Sequence, residues 1–221
     1  MKNDKTMIIN LLSGMVSCSQ CSFANKDYPP LAPVYLSGRV KVMFIGENPS
    51  WEFGQRIPLD GLTKSGKALH EQYIVPIKKP FNLKESDFWI TNLFKCRYPK
   101  NVYHEKAKRQ AEIFFNARTC ANNWLIKEIE TVRPEIVVTL GDKAVYQRLR
   151  KIFNIASKTS FGDAAYNPQR AQIGNHKCSL LAACHPDISV YTQRKHTSSQ
   201  KWSKMHSKKF VKSFKKITSA Q

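Results

Sequence analysis

The chain has 221 residues, 42% of them apolar, enough to bury the core of one sizeable α/β domain. No apolar run approaches the roughly 20 residues of a membrane helix, and the N-terminus carries no convincing cleavage site, so a cytoplasmic protein with no membrane span is expected. Lys and Arg number 36 against 16 acidic residues, a formal charge of +20, which attracts polyanions: nucleic acid first, an anionic membrane surface second.

In chain order, Cys18 and Cys21 come first as a C-x-x-C pair, a spacing shared by zinc, redox and iron–sulfur sites. Residues 28–33, rich in proline, predict an extended loop. The apolar run 39–45 predicts a buried strand that Gly46 ends. A helix is expected over 65–75 and a strand over 88–93, followed by helices over 105–115 and 121–132. Pro134 introduces a strand over 135–140 closed by Gly141, with Asp142 as N-cap of a helix to about residue 152. The last central strand is expected over 178–184. Residues 192–221 hold nine Lys or Arg and no acid. There Trp202, Met205, Phe210, Phe214 and Ile217 approximate one helical face, predicting an amphipathic helix docked on the domain with its lysines toward phosphates. A membrane-surface helix or a solvated basic tail shows the same pattern.

Alternating strands and helices predict an α/β fold: a central, mostly parallel sheet in a single three-layer α/β/α domain over 1–195, with a basic helical extension over 196–221. Ligands bind such sheets beyond the carboxyl ends of the strands. The most polar segments fall there: residues 46–50 after the first strand, 92–97 after the second, and His185-Pro186-Asp187 after the last. Each alone is an ordinary turn; together they outline a site. Six cysteines in a chain without a secretory signal suggest metal or cluster ligation rather than disulfides.

These segments also resemble a known family. Val42-Met43-Phe44-Ile45-Gly46-Glu47-Asn48-Pro49-Ser50 resembles the first motif of uracil-DNA glycosylases. Residues 89–99, with Thr91-Asn92 and Lys95-Cys96-Arg97-Tyr98-Pro99, are similar to the iron–sulfur branch, family 4, as is the stretch from Cys120 through Pro134 to Gly141. Residues 185–191 resemble the His-Pro motif that carries the DNA-inserting loop. The resemblance covers roughly residues 15–195.

It implies a uracil-DNA glycosylase-like fold, acting on DNA as a monomer, and a 4Fe-4S cluster on Cys18, Cys21, Cys96 and Cys120. Zinc on the same four thiolates is the alternative; Cys178 and Cys184 are read as buried strand residues. The target base would be flipped out of the helix. His185 would stabilise the departing base and Asn92 would read its edge. Glu47 or Asn48 would handle the attacking water; both stay open. No motif places a lysine for a Schiff base, so a monofunctional enzyme is expected. Lys95 and Arg97 are assigned to DNA, and Ile188 or Tyr191 to the wedge that fills the gap left by the base. Leu59 stands where uracil-cutting members carry a stacking Phe, and Asp60 adds a carboxylate. This departure leaves two substrates open: uracil, or a bulkier pyrimidine such as glucosylated hydroxymethylcytosine of phage DNA. His104 lies in a long basic loop, read as a backbone contact rather than a covalent attachment point. The rival readings are a non-catalytic iron–sulfur module that binds modified DNA, and an RNA-binding protein.

Overall fold

The apolar runs become five strands: β1 (Val42–Gly46), β2 (Phe88–Asn92), β3 (Ile136–Leu140), β4 (Gln169–Ile173) and β5 (His176–Ala183). The computed structural model describes residues 2–24, 29–36, 38–50, 56–97, 107–153, 155, 160–187 and 199–219. The strand order is β2-β1-β3-β5-β4, parallel throughout except for the antiparallel β4–β5 edge. The helices are α1 (Lys2–Val16), α2 (64–78), α3 (107–132), α4 (142–152), α5 (Phe161–Ala164) and α6 (Ser199–Thr218).

β1 and β3 are buried at every position, as expected of parallel strands covered on both faces. Their side chains alternate between two cores. Met43, Ile45, Trp89, Val137 and Leu180 meet α1, α3 and α4 on one face. Val42, Phe44, Phe88, Val138 and Leu181 meet α2 and α6 on the other. The sheet is therefore the middle of three layers.

α6 forms part of the second layer. Phe210 lies 6.1 Å from Phe44 and 4.7 Å from Tyr73 between ring centroids, and Phe214 lies 4.8 Å from Phe81. Its buried face runs through His206, Phe210, Ser213, Phe214 and Ile217. Met205, expected on that face, is exposed; Trp202's side chain lies outside the described residues. Among the described residues, no helix is long and apolar enough to cross a membrane.

Two other expectations change, and two elements were not expected. The helices expected over 105–115 and 121–132 are one helix, because no Gly or Pro separates them. Asp142 is not an N-cap but the first helical residue; Gly141 caps α4 at φ 107, a conformation that disfavours a side chain. The edge hairpin β4–β5 turns at Gly174-Asn175, with Gly174 at φ 57. That dipeptide is a hairpin signal, and the strand before it was readable from it. α1 was not anticipated.

Each of α2, α3 and α4 contains one π turn, at His70–Ile74, Ala121–Leu125 and Asp142–Tyr146. Such turns concentrate at functional sites. The first presents Gln72 and Tyr73 to the segment after β5, and the second follows directly on Cys120.

Candidate active site

β1, β2 and β5 end on the same edge of the sheet, and pairing continues past their ends. The Leu93 and Phe94 amides donate to the Gly46 and Glu47 carbonyls, both at 2.8 Å. Arg97 Nε donates to the Ser50 carbonyl at 2.8 Å. The loops after β1 and β2 are thus one zipped structure.

Asn92, last residue of β2, lies opposite Gly46. It is 1% exposed, yet neither its amide nitrogen nor its oxygen has a hydrogen-bond partner. A Cβ at position 46 would come 2.5 Å from Asn92 Oδ1 and 3.2 Å from Leu59 Cδ1, so only glycine leaves room for the amide. Buried amides are nearly always paired, which marks this one as waiting for a ligand.

His185 follows β5. Its Nδ1 accepts the Asp187 amide at 3.1 Å. Burial lowers the ring's pKa and outweighs the nearby carboxylates of Asp187 and Glu47, which raise it. The ring is therefore neutral at neutral pH, its proton sits on Nε2, and Nε2–H is a donor. α2 holds this segment: Gln72 Nε2 donates to the Pro186 carbonyl at 2.9 Å, and the Tyr73 hydroxyl to the Cys184 carbonyl at 2.9 Å.

Glu47 pairs with Arg148 of α4 at 2.5 Å, both side chains nearly buried. Arg148 also stands 5.9 Å from the Phe94 ring centroid. Sequence reasoning missed this arginine, which belongs to no motif. Asn48 turns onto its own loop, donating to the Pro49 carbonyl at 2.9 Å. Of the two candidates for the water, Glu47 is the one whose charge reaches His185.

Two assignments are corrected. Lys95 does not face DNA. It is 1% exposed, and its ammonium bonds Thr91 Oγ1 at 2.7 Å, the Asn92 carbonyl at 2.7 Å and the Glu128 carboxylate. Glu128, fully buried in α3, also accepts Trp89 Nε1 at 3.1 Å and Thr91 Oγ1 at 2.9 Å. The lysine was misread because its partner lies 33 residues further along the chain. Asp60 does not face the base site as a free carboxylate either. It accepts the Leu62 amide at 3.0 Å and the Arg56 amide at 3.4 Å, forming its own turn. Ile188, Tyr191 and His104 lie outside the described residues.

The four cysteines of the expected cluster occupy one neighbourhood between α3, the segment after α1, and the loop after β2. Cys96 donates to Cys21, whose pKa falls to about 6 through that bond, helped by the Phe23 and Ala24 amides. Cys96 is pushed up by giving that proton, by burial, and by the charges of Cys21, Cys120 and Cys18. Burial raises Cys120 to about 12. Trp124 Nε1 donates to Cys18 Sγ at 3.2 Å and the Lys95 amide to Cys120 Sγ at 3.4 Å. Among the described residues, no three His, Cys, Asp or Glu side chains form a ready-made metal-holding group. In kind, however, the donors suit a cluster: four free cysteines on neighbouring segments, with N–H groups aimed at the sulfurs of Cys18 and Cys120.

The sequence matches the family described as the Uracil DNA glycosylase superfamily over residues 33–215. The chain belongs to that superfamily. Membership places it among DNA glycosylases, with DNA as the substrate class. It is 27% identical over 158 residues to a type-4 uracil-DNA glycosylase of Saccharolobus solfataricus, covering 70% of this chain and 64% of that protein. It is 24% identical over 185 residues to a type-4 enzyme of Archaeoglobus fulgidus, covering 82% of each. A third type-4 enzyme, from Sulfurisphaera tokodaii, is 25% identical over 191 residues, covering 80% of this chain and 73% of that one. The superfamily match runs into α6, consistent with the share of the core that this helix supplies.

Replacing Glu128 by Gln leaves the Lys95 ammonium buried without its counter-charge. The expected loss of stability is about 3–5 kcal/mol, the scale for breaking a buried pair, read from urea unfolding. An unchanged midpoint would show that water reaches the pair.

Proposed function

We propose that this protein is a monofunctional DNA glycosylase that takes a pyrimidine out of DNA and hydrolyses its bond to the sugar, uracil being the first substrate to test. The observation that carries this reading is the buried, unpartnered amide of Asn92 on the same sheet edge as the neutral donor of His185. An amide offers one donor and one acceptor, matching a pyrimidine edge. Cleavage places negative charge on the departing base. His185 Nε2–H meets it with a hydrogen bond and has no positive charge to lose. Glu47, paired with Arg148, supports the positive charge that develops on the sugar, or orients the attacking water. The charge of +20 draws the DNA in, and the exposed Lys204, Lys208, Lys209 and Lys212 of α6 contribute to it.

Cys18, Cys21, Cys96 and Cys120 would hold a 4Fe-4S cluster. Bound there, it would tie the segment after α1 to the loop after β2 and to α3. Its contribution would be to brace the strand end that carries Asn92.

A finer reading concerns the base. Leu59, at φ 48, lies against Gly46 and lines a cavity of about 540 Å³ together with Ile57, Pro58, Lys67, His70 and Ile90. An aliphatic side chain in place of a stacking ring, with space behind it, favours a pyrimidine that carries a substituent, glucosylated hydroxymethylcytosine being one such base.

Three outcomes test these readings. His185→Ala and Asn92→Ala should each slow uracil release from duplex or single-stranded DNA by about 100-fold or more, with binding to undamaged DNA unchanged; wild-type rates in both variants would remove the site. The purified protein should be brown and contain iron and acid-labile sulfide, lost on replacing Cys96 or Cys120; a colourless protein with stoichiometric zinc would overturn the cluster. Leu59→Phe adds a stacking surface worth about 1–3 kcal/mol, so it should speed uracil release and slow release of the glucosylated base. Equal losses on every base would make Leu59 simple packing.

A further inference from the structure

The segment bearing His185 is held by a buried chain of hydroxyls that starts on α6. The Tyr73 hydroxyl gives its proton to the Cys184 carbonyl at 2.9 Å. It also lies 3.2 Å from the Tyr166 hydroxyl. Tyr166 accepts the Cys184 amide at 3.2 Å and meets His206 Nδ1 at 2.7 Å. Tyr166 itself sits at φ 64, its amide bonded to the Ala182 carbonyl at 2.8 Å and its carbonyl to Ser213 of α6. Both peptide groups of Cys184, immediately before His185, are thus held by phenols.

Counting protons orders the chain. A carbonyl can only accept, so Tyr73's proton is committed to Cys184. The Tyr73–Tyr166 contact then has a proton only if Tyr166 donates to Tyr73. Tyr166 in turn has none left for His206, so His206 must donate from Nδ1. The opposite tautomer leaves two phenol oxygens facing each other at 3.2 Å without a proton. His206 is also neutral at neutral pH: burial, then Lys209, lowers it to about 4.

We propose that His206, Tyr166 and Tyr73 are positioning residues for His185: a one-directional relay, His206 Nδ1–H to Tyr166 to Tyr73 to the Cys184 carbonyl, by which the C-terminal helix sets the place of the donor to the departing base. The proposal rests on the glycosylase reading for its catalytic consequence, and on hydrogen-bond geometry alone for the relay. It separates these residues from ordinary core, whose loss lowers stability without moving His185.

The test combines single-turnover uracil release, DNA affinity and ¹⁵N NMR of the imidazoles. Tyr73→Phe and Tyr166→Phe should slow release about tenfold or more, the scale of a misplaced catalytic group, with DNA affinity within about twofold. His206→Asn, which keeps an N–H donor, should retain most of the rate, and His206→Leu should fall with the phenylalanine variants. In the wild type, His206 Nδ1 should carry a proton. The His185 ring signals should shift in Tyr166→Phe but not in Ile173→Val, a core substitution in the opposite layer. An unprotonated His206 Nδ1, or unmoved His185 signals with a wild-type rate in Tyr166→Phe, would overturn the relay. If the wild type releases no base, the glycosylase reading falls, while the imidazole signals still decide the relay.

Discussion

The buried pair of Lys95 and Glu128 is the contact on which the site edge depends. An ammonium has three protons, and here they meet three acceptors: Thr91 Oγ1, the Asn92 carbonyl and Glu128. Glu128 accepts in addition from Trp89 and Thr91. Strand β2 is thereby fastened to helix α3 at the point where Asn92 leaves the sheet. The same lysine's amide points at Cys120 Sγ, and its carbonyl accepts the Leu31 amide at 2.8 Å. A buried pair adds little net stability over apolar packing, because desolvation offsets the attraction. What this one supplies is geometry, since a saturated set of charged hydrogen bonds tolerates few other arrangements.

Around this anchor the polar groups of the edge are held from both helical layers. Glu47 is fixed by Arg148 of α4, and the His185 segment by Gln72 and Tyr73 of α2. Thr139 Oγ1, Asp142 Oδ1 and the side-chain oxygen of Gln72 are also without a partner, but Asn92 is, among the described residues, the buried amide with neither end bonded. Its backbone carbonyl is bound by Lys95 while its amide, a few ångströms away, has no partner. Preorganised neighbours and one unsatisfied reader are what a site needs if it is to recognise a base without rearranging.

α6 joins two demands in one helix. Phe210 and Phe214 complete the core, while Lys204, Lys208, Lys209, Lys212, Lys215 and Lys216 stay exposed. Apolar residues at helical spacing allow both, since the two faces never compete for the same positions. Part of the chain's positive charge is therefore carried on an element that also supplies the core.

The strands β1, β2, β3 and β5 were legible because buried parallel strands are written as local apolar runs, and the positions of Glu47, Asn92 and His185 followed from their place at strand ends. The β4 hairpin went unread although Gly174-Asn175 signals it, because its strand is short and half polar. Lys95, Asp60 and Arg148 were not legible. A charged side chain is read by default as exposed, and only a partner brought from a distant segment reverses that: Glu128 for Lys95 and Glu47 for Arg148. Asp60 differs, since it is taken up by the amides of its own turn. Periodicity is a property of neighbours along the chain and so belongs to the sequence. The solvation of a charge depends on what folds over it, and that was decided only by the tertiary structure.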